Sequence, residues 1–297
     1  LRFDGRGHEH APASTLVAAY LLASTIPLAS ALWLGRTTPS RLAMHALFLA
    51  LAVWSARRRG PEPGTSIAAL LLGALAAWIP LLLVPGLYNA IPTIALGLGG
   101  AMHDARVLAW EHALFGVSPA LTFSVRFPWP ALSETLHAGY LSYYALIFGP
   151  PLRLFLANRR RDFGETAFTV MLAFVCCYVV FVLFPVQGPW FEWAAPTTIP
   201  RGPVRLAVER LLHAGSSRGT AFPSSHVAVS VSQTIVTLRL QRGLGVIAAV
   251  CTLALALGAV YGSLHYGIDV IVGALLGVAI GTFAPGLYTR LAMRSAR

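Results

Sequence analysis

Apolar residues run along this chain in blocks of about 20, the length at which a helix crosses the hydrocarbon core of a bilayer. Eight such blocks predict membrane helices over 14–35, 41–56, 65–85, 133–156, 165–184, 224–240, 244–262 and 264–284, the second of them short. Two long interruptions break the series. Residues 86–132 carry Gly, Pro and a predicted surface helix from about Met102 to Leu114, and residues 185–223 are rich in Pro, Trp and Arg. No solenoid-type repeat or long low-complexity tract is present. The pattern predicts an all-α integral membrane protein, with an N-terminal transmembrane hairpin over 1–60 and a second membrane domain over 61–290.

Composition excludes a soluble enzyme. Of the 297 residues 56% are hydrophobic and 11% charged, with a mean hydropathy of +0.68. Soluble domains carry about 25% charged residues. The net charge of +11 would suggest a nucleic-acid partner in a soluble protein. On a membrane chain it reads as loop Arg facing anionic lipid, with no nucleic acid implied. All 22 basic residues are Arg. Cys176, Cys177 and Cys251 lie inside apolar runs without metal-ligand spacing and read as buried thiols. The first apolar run follows Arg2 and Arg6 and could imitate a signal peptide, but its length favours a retained helix.

Arg placement orients the chain. With eight spans, one side collects Arg2, Arg6, Arg57, Arg58, Arg59, Arg153, Arg159, Arg160, Arg161, Arg239, Arg242, Arg290, Arg294 and Arg297, fourteen of the 22. The remaining eight are Arg36, Arg41, Arg106, Arg126, Arg201, Arg205, Arg210 and Arg218, most of them in long loops where the rule is weak. The first side is expected in the cytoplasm of a plasma or inner membrane. The long loops and the junctions near 224 and 264 are then extracytoplasmic.

Two short segments carry candidate chemistry. After Glu209 the only acidic residue is Asp269, inside the apolar run 268–272. A carboxylate in a membrane helix costs about 2.5–3.5 kcal/mol near the centre and less near an end, so it calls for a partner. His265, four residues earlier, would share its helix face and be oriented by it. A buried ion pair that only fastens helices is the competing reading. The second segment, 218–226, reads Arg-Gly-Thr-Ala-Phe-Pro-Ser-Ser-His and enters the sixth span. Pro223 suits a first helical turn. Ser224 and Ser225 at a helix N-terminus can bind an anion, and Arg218 can add a guanidinium to a phosphate. One helix hairpin separates the segments, which puts His226 at the membrane depth of His265. Two His and one Asp converging in this way favour a catalytic reading over a packing one.

These residues resemble the membrane-bound PAP2 (type 2 phosphatidic acid phosphatase) superfamily. Residues 221–226, Ala-Phe-Pro-Ser-Ser-His, are similar to its second motif, and 265–269, His-Tyr-Gly-Ile-Asp, to its third. Asp104, Leu108, Glu111, residues 114–116, 140–144 and 183–185 resemble the inositol phosphorylceramide synthase branch, and the likeness spans roughly 65–285. The resemblance implies a six-helix catalytic bundle preceded by two added helices. It implies His265 as nucleophile oriented by Asp269, His226 as acid and base, Arg218, Ser224 and Ser225 as phosphate-binding groups, and neither metal nor cofactor. A phospholipid substrate and a lipid or polyol acceptor within the bilayer are the implied partners.

The departures bear on the reaction. PAP2 phosphatases carry a first motif with Lys and then Arg-Pro, whereas this chain has no Lys. Gly258-Ala259 stands where their third motif has Ser-Arg. The sequence therefore favours a head-group phosphotransferase, with a PAP2-type lipid phosphate phosphatase as the alternative and a proton-coupled transporter as a rival from another class. Other groups read blandly. A metal site at His103, Asp104 and His112 is weak, and Asp104 and Glu111 are expected to cap and solvate an interfacial helix. Trp190, Phe191 and Trp193 read as an interfacial belt, with lining of a lipid entrance as the lesser reading. Tyr140, Tyr143 and Tyr144 read as interhelical packing, with Tyr143 or Tyr144 the ones that could face the site. Gly273, Gly277 and Gly281 read as close helix packing.

Overall fold

The computed structural model describes residues 9–58, 66–193 and 201–295. Helices carry the fold, and the β structure among the described residues is one isolated bridge between Val186 and Thr220. In chain order the helices are α1 (Ala11–Trp33), α2 (Pro39–Arg57), α3 (Ile67–Leu82), α4 (Val84–Leu96), α5 (Asp104–Phe115), α6 (Pro119–Arg126), α7 (Pro130–Leu156), α8 (Arg160–Leu183), α9 (Pro189–Glu192), α10 (Pro203–Gly215), α11 (Ser225–Leu240), α12 (Arg242–Tyr261) and α13 (Gly267–Ser295). Pro occupies the first turn of α2, α4, α6, α7 and α10, where its missing N–H has no intrahelical acceptor to lose.

Five stretches are long and apolar enough to cross a membrane: Ala11–Trp33, Ile67–Leu96, Arg160–Leu183, Arg242–Tyr261 and Gly267–Arg294. The other three expected spans form helices α2, α7 and α11. These are shorter or more polar; α11, for example, has 16 residues and buries Ser230, Ser232, Gln233, Thr234 and Thr237. Besides α5, the helices α4, α6, α9 and α10 arise in or at the edge of the expected interruptions. Pro85 and Pro92 made residues 84–96 look broken, yet Pro85 sits in the first turn of α4 and Pro92 in its interior. Neighbouring helices make an interior Pro tolerable in a membrane bundle. Helix α10 escapes a hydropathy reading because it is amphipathic, with Val208 buried and Arg210 exposed.

The ends of the bundle differ in chemistry. At one end Arg153 Nη1 donates to Gln241 Oε1 at 2.7 Å, Arg159 Nη1 to the Leu240 carbonyl at 3.1 Å, and Arg239 pairs with Glu165. His10 meets the Ser55 carbonyl at 3.0 Å and the Tyr288 hydroxyl donates to that of Glu9 at 2.9 Å, which brings the ends of α2 and α13 to the same place. The described members of the fourteen Arg expected on one side therefore gather at one end of the bundle. Arg2, Arg6, Arg59 and Arg297 lie outside the described residues. The N-termini of α11 and α13 lie at the opposite end, joined where the Ser224 N–H donates to the Asp269 carbonyl at 3.0 Å.

Helix α8 runs through the core, with Phe163, Phe168, Phe174, Tyr178 and Phe181 buried against its neighbours. Helix α13 lies against α11 along Gly273, Gly277 and Gly281. A Cβ at Gly273 would come within 2.6 Å of the Ser224 carbonyl, and one at Gly277 within 2.6 Å of the Ala228 carbonyl. Backbone atoms cannot step aside as a flexible side chain does. Gly273→Ala should therefore destabilise the protein by about 1–3 kcal/mol, read as a lower unfolding midpoint in detergent. Gly286→Ala, which adds a methyl to open space, is the control. Equal midpoints for the two variants would contradict the packing.

Candidate active site

His265 is delivered by the end of one helix and met by the start of the next. Beyond α12, Ser263 turns left-handed (φ 55°), and the N–H groups of Leu264 and His265 donate back to the Ala259 carbonyl at 2.9 and 3.1 Å. This closes the helix C-terminus with an αL residue, and the Ser263 hydroxyl holds the turn by donating to the Ala120 carbonyl at 2.6 Å. His265 therefore stands outside the helix, two residues before α13 begins, and not on one helix with Asp269 as the spacing suggested. The pair still meets, with Nδ1 3.4 Å from Asp269 Oδ2. The reason is a capping geometry. Asp269, in the first turn of α13, reaches back so that Oδ2 accepts the Tyr266 N–H at 2.9 Å, and this brings the carboxylate under the imidazole. The 3.4 Å contact is longer than an ideal hydrogen bond, and catalytic bonds commonly tighten only with substrate bound. Nδ1 has no other acceptor among the described residues, so the pairing directs Nε2 of His265 to the cavity.

Two buried carboxylates of α5 shape this corner. Glu111, fully buried, accepts the N–H groups of Gly267 and Ile268 at 3.1 and 2.8 Å and the Ser118 hydroxyl at 3.1 Å. Asp104 accepts the N–H groups of Gln187 and Gly188 at 3.0 and 2.9 Å and the Tyr266 hydroxyl at 3.4 Å. The expectation that both residues cap and solvate their own interfacial helix is thus corrected. They turn inward and cap α13 and the 187–188 turn, where Gly188 takes a positive φ of 84° and a Cβ would approach that of Ala221 to 2.6 Å.

His226 comes from α11. Pro223, joined to Phe222 by a cis peptide, precedes the helix rather than opening its first turn. Ser224 is the N-cap, its hydroxyl accepting the Val227 N–H at 3.4 Å. The bond from Ser224 N–H to Asp269 then fixes the start of α11 against the first turn of α13. The rings of His226 and His265 stand 5.9 Å apart between centres. The Tyr140 hydroxyl lies 3.1 Å from His226 Nε2.

Both histidines line one cavity of about 270 Å³. Its walls include Tyr88 of α4, Tyr140 and Tyr143 of α7, Tyr178 of α8, Leu211 and Leu212 of α10, and Ser225. Helix α10 is held there by Glu134 of α7, which accepts the N–H groups of Val204 and Arg205 at 2.8 and 3.1 Å. Among the described residues lining the cavity there is no Arg, Asp or Glu.

The structure brings His226, His265 and Ser225 to this cavity, with Asp269 directly behind His265. Ser224 is occupied as the N-cap. Arg218 stands one layer outside. Its Nη1 donates to Gln187 Oε1 at 2.7 Å and its guanidinium lies 5.1 Å from the Phe191 ring centre, and Gln187 and Phe191 themselves line the cavity. Trp190 and Phe191 also line it, while Trp193 packs on Tyr266 at 5.5 Å. His103 stacks on Phe184 at 4.3 Å and His112 is exposed. Tyr140 was not read as a site residue, although its spacing of three from Tyr143 puts both on one face of α7.

Comparison with known proteins agrees with the motifs. A family model described as the PAP2 superfamily matches residues 105–283, a stretch that holds His226, His265 and Asp269 as well as Asp104's neighbours in α5 and Glu111. No curated protein and no solved structure matches the chain.

Proposed function

The chain belongs to the PAP2 superfamily, a membership that suggests a lipid enzyme of the phosphatase or phosphotransferase type, and from that premise we propose that it is a membrane lipid phosphotransferase of the inositol phosphorylceramide synthase-like branch. It moves a phospho-head group from a phospholipid to a lipid or polyol hydroxyl. His265 Nε2 attacks phosphorus, the bond from phosphorus to the glycerol oxygen breaks, and His226 supplies the proton to that oxygen. In the second half His226 takes the proton of the acceptor hydroxyl, the new P–O bond forms and the P–N bond to His265 breaks. Asp269 holds the His265 proton on Nδ1 and offsets the charge that the imidazole acquires. Ser225 and the N–H groups at the start of α11, which have no intrahelical acceptor, meet the phosphate oxygens. Arg218 adds its charge from the rim.

The carrying observation is the absence of Arg, Asp and Glu from the described cavity lining, in a chain with no Lys. A phosphomonoester dianion in a low-dielectric site calls for several cations, whereas a phosphodiester carries one charge. Position 259, where the phosphatases carry their Arg, holds a fully buried Ala. We read α2, α7 and α11 as crossing the bilayer with the five apolar spans. The six-helix catalytic core then lies within 61–290, preceded by the 1–60 hairpin. The Arg-rich end faces the cytoplasm of a plasma or inner membrane and the active site the other side.

Purified protein incubated with head-group-labelled phospholipids and phosphatidic acid, with and without ceramide, diacylglycerol or a polyol, tests this. New lipid is expected to exceed free phosphate, and phosphodiester donors to outpace phosphatidic acid. Phosphate as sole product, with phosphatidic acid the fastest substrate, would make the protein a phosphatase.

A further inference from the structure

Among the described residues lining the cavity, the proton carrier His226 has no carboxylate of its own. Asp269 is directed at His265 and the Tyr266 N–H. Of the elements packed against α11, α7 presents Tyr140 and Tyr143, α8 presents Tyr178 to the same cavity, the α12–α13 link presents His265, and α12 itself contributes no residue to the cavity lining. An imidazolium formed at His226 would therefore meet no carboxylate of the described residues lining the cavity. It would meet two aromatic faces instead. The Tyr140 ring is stacked 5.0 Å away at an interplanar angle of 29°, and the Tyr143 ring lies 4.3 Å away at 43°. Both tyrosines are buried and lie three residues apart on α7, so one helix face holds the two rings in register. These distances fall within the roughly 6 Å over which a ring face attracts a cation.

Resting on the assignment of His226 as acid and base, we propose that Tyr140 and Tyr143 are its positioning residues, forming an aromatic clamp that stabilises the imidazolium and fixes its tautomer. Once His226 has given its Nε2 proton to the leaving glycerol oxygen, the Tyr140 hydroxyl, 3.1 Å from Nε2, donates to that nitrogen and so keeps the remaining proton on Nδ1. Nε2 is left as the lone pair that accepts a proton. The hydroxyl occupies the place from which an acceptor hydroxyl would deliver its own. On substrate binding the acceptor oxygen replaces the phenol, its O–H proton passes to Nε2, and the two rings then flank the cation.

The two tyrosines make separable contributions. Tyr140→Phe keeps a ring and loses the hydroxyl. It should lower kcat about tenfold with little change in KM, because orientation and not lipid binding is lost. Tyr143→Phe keeps the ring and should leave the pH–rate profile in place. Tyr143→Leu removes a ring that favours the cation, so the limb set by His226 should move to lower pH by about 0.5–1 unit. Tyr143→Met serves as a second ring-deleted variant if the Leu protein is made poorly. Identical limbs in the Leu, Met and Phe variants and the wild type would overturn the clamp. The same titration is read without turnover from histidine-ring NMR in micelles, where the His226 midpoint should fall in Tyr143→Leu and hold in Tyr143→Phe. A wild type that turns over no lipid would sink the functional proposal, while the NMR titration would still decide the clamp.

Discussion

His265→Ala should abolish turnover, leaving less than about one part in 10³ of wild-type activity, while the protein remains folded. The chemistry requires a nucleophile that forms a covalent intermediate, and among the described residues His265 is the imidazole paired with Asp269. Folding should survive because the ring is not a strut. Asp269 keeps its bond from the Tyr266 N–H, its carbonyl keeps the Ser224 N–H, and Glu111 keeps the α13 N-terminus. His226→Ala should be equally inactive. Asp269→Asn should retain only residual activity, about 10²–10⁴-fold below wild type, since the amide can hold the wrong tautomer and carries no charge. Activity of Asp269→Asn equal to wild type would remove the orienting role, and a fully active His265→Ala would remove the nucleophile.

Glu111→Ala should produce the largest loss of stability among changes that leave the cavity lining untouched. Its carboxylate is fully buried and is the acceptor for three donors, Ser118 Oγ and the N–H groups of Gly267 and Ile268. Each buried donor left unsatisfied costs about 1–3 kcal/mol, so the total should reach at least about 3 kcal/mol. The loosened element carries Asp269, and activity should fall with stability. Glu111→Gln retains one acceptor oxygen and should lie between the two. The comparison is the unfolding midpoint in detergent beside the transfer rate. A wild-type midpoint in Glu111→Ala would show that the α13 N-terminus is held by something else.

The convergence of His226, His265 and Asp269 was legible because it needs only a hairpin and a spacing. Two helix ends joined by one antiparallel pair must lie at one depth. The mode of convergence was not legible. His265 stands off the helix because Ser263 turns left-handed, and a Ser carries no such signal in a sequence. Asp104 and Glu111 could be seen as polar residues on an interfacial helix, but the donors they accept from are backbone N–H groups more than 80 residues away in sequence. Helix α4 was hidden by its prolines and α10 by its low hydropathy, although each lines the cavity. Arg218 lay in the right motif, and the structure sets it against Gln187 on the cavity's outer side. That offset follows from the 218–220 turn, where Gly219 has a positive φ of 84° and the Thr220 hydroxyl is bonded to that of Tyr88 at 2.7 Å.

Trapping the covalent intermediate is the most direct test of head-group transfer through His265. Wild-type protein would be mixed with a phospholipid labelled in its head-group phosphate, without acceptor, and quenched rapidly in alkali. A P–N bond to imidazole survives alkali and is lost in acid, unlike an ester to Ser. Label retained by the wild type in alkali, released by acid, absent from His265→Ala and chased into new lipid by an added acceptor is the expected result. Label that persists in His265→Ala, or a wild type that turns over lipid without ever acquiring label, would contradict it.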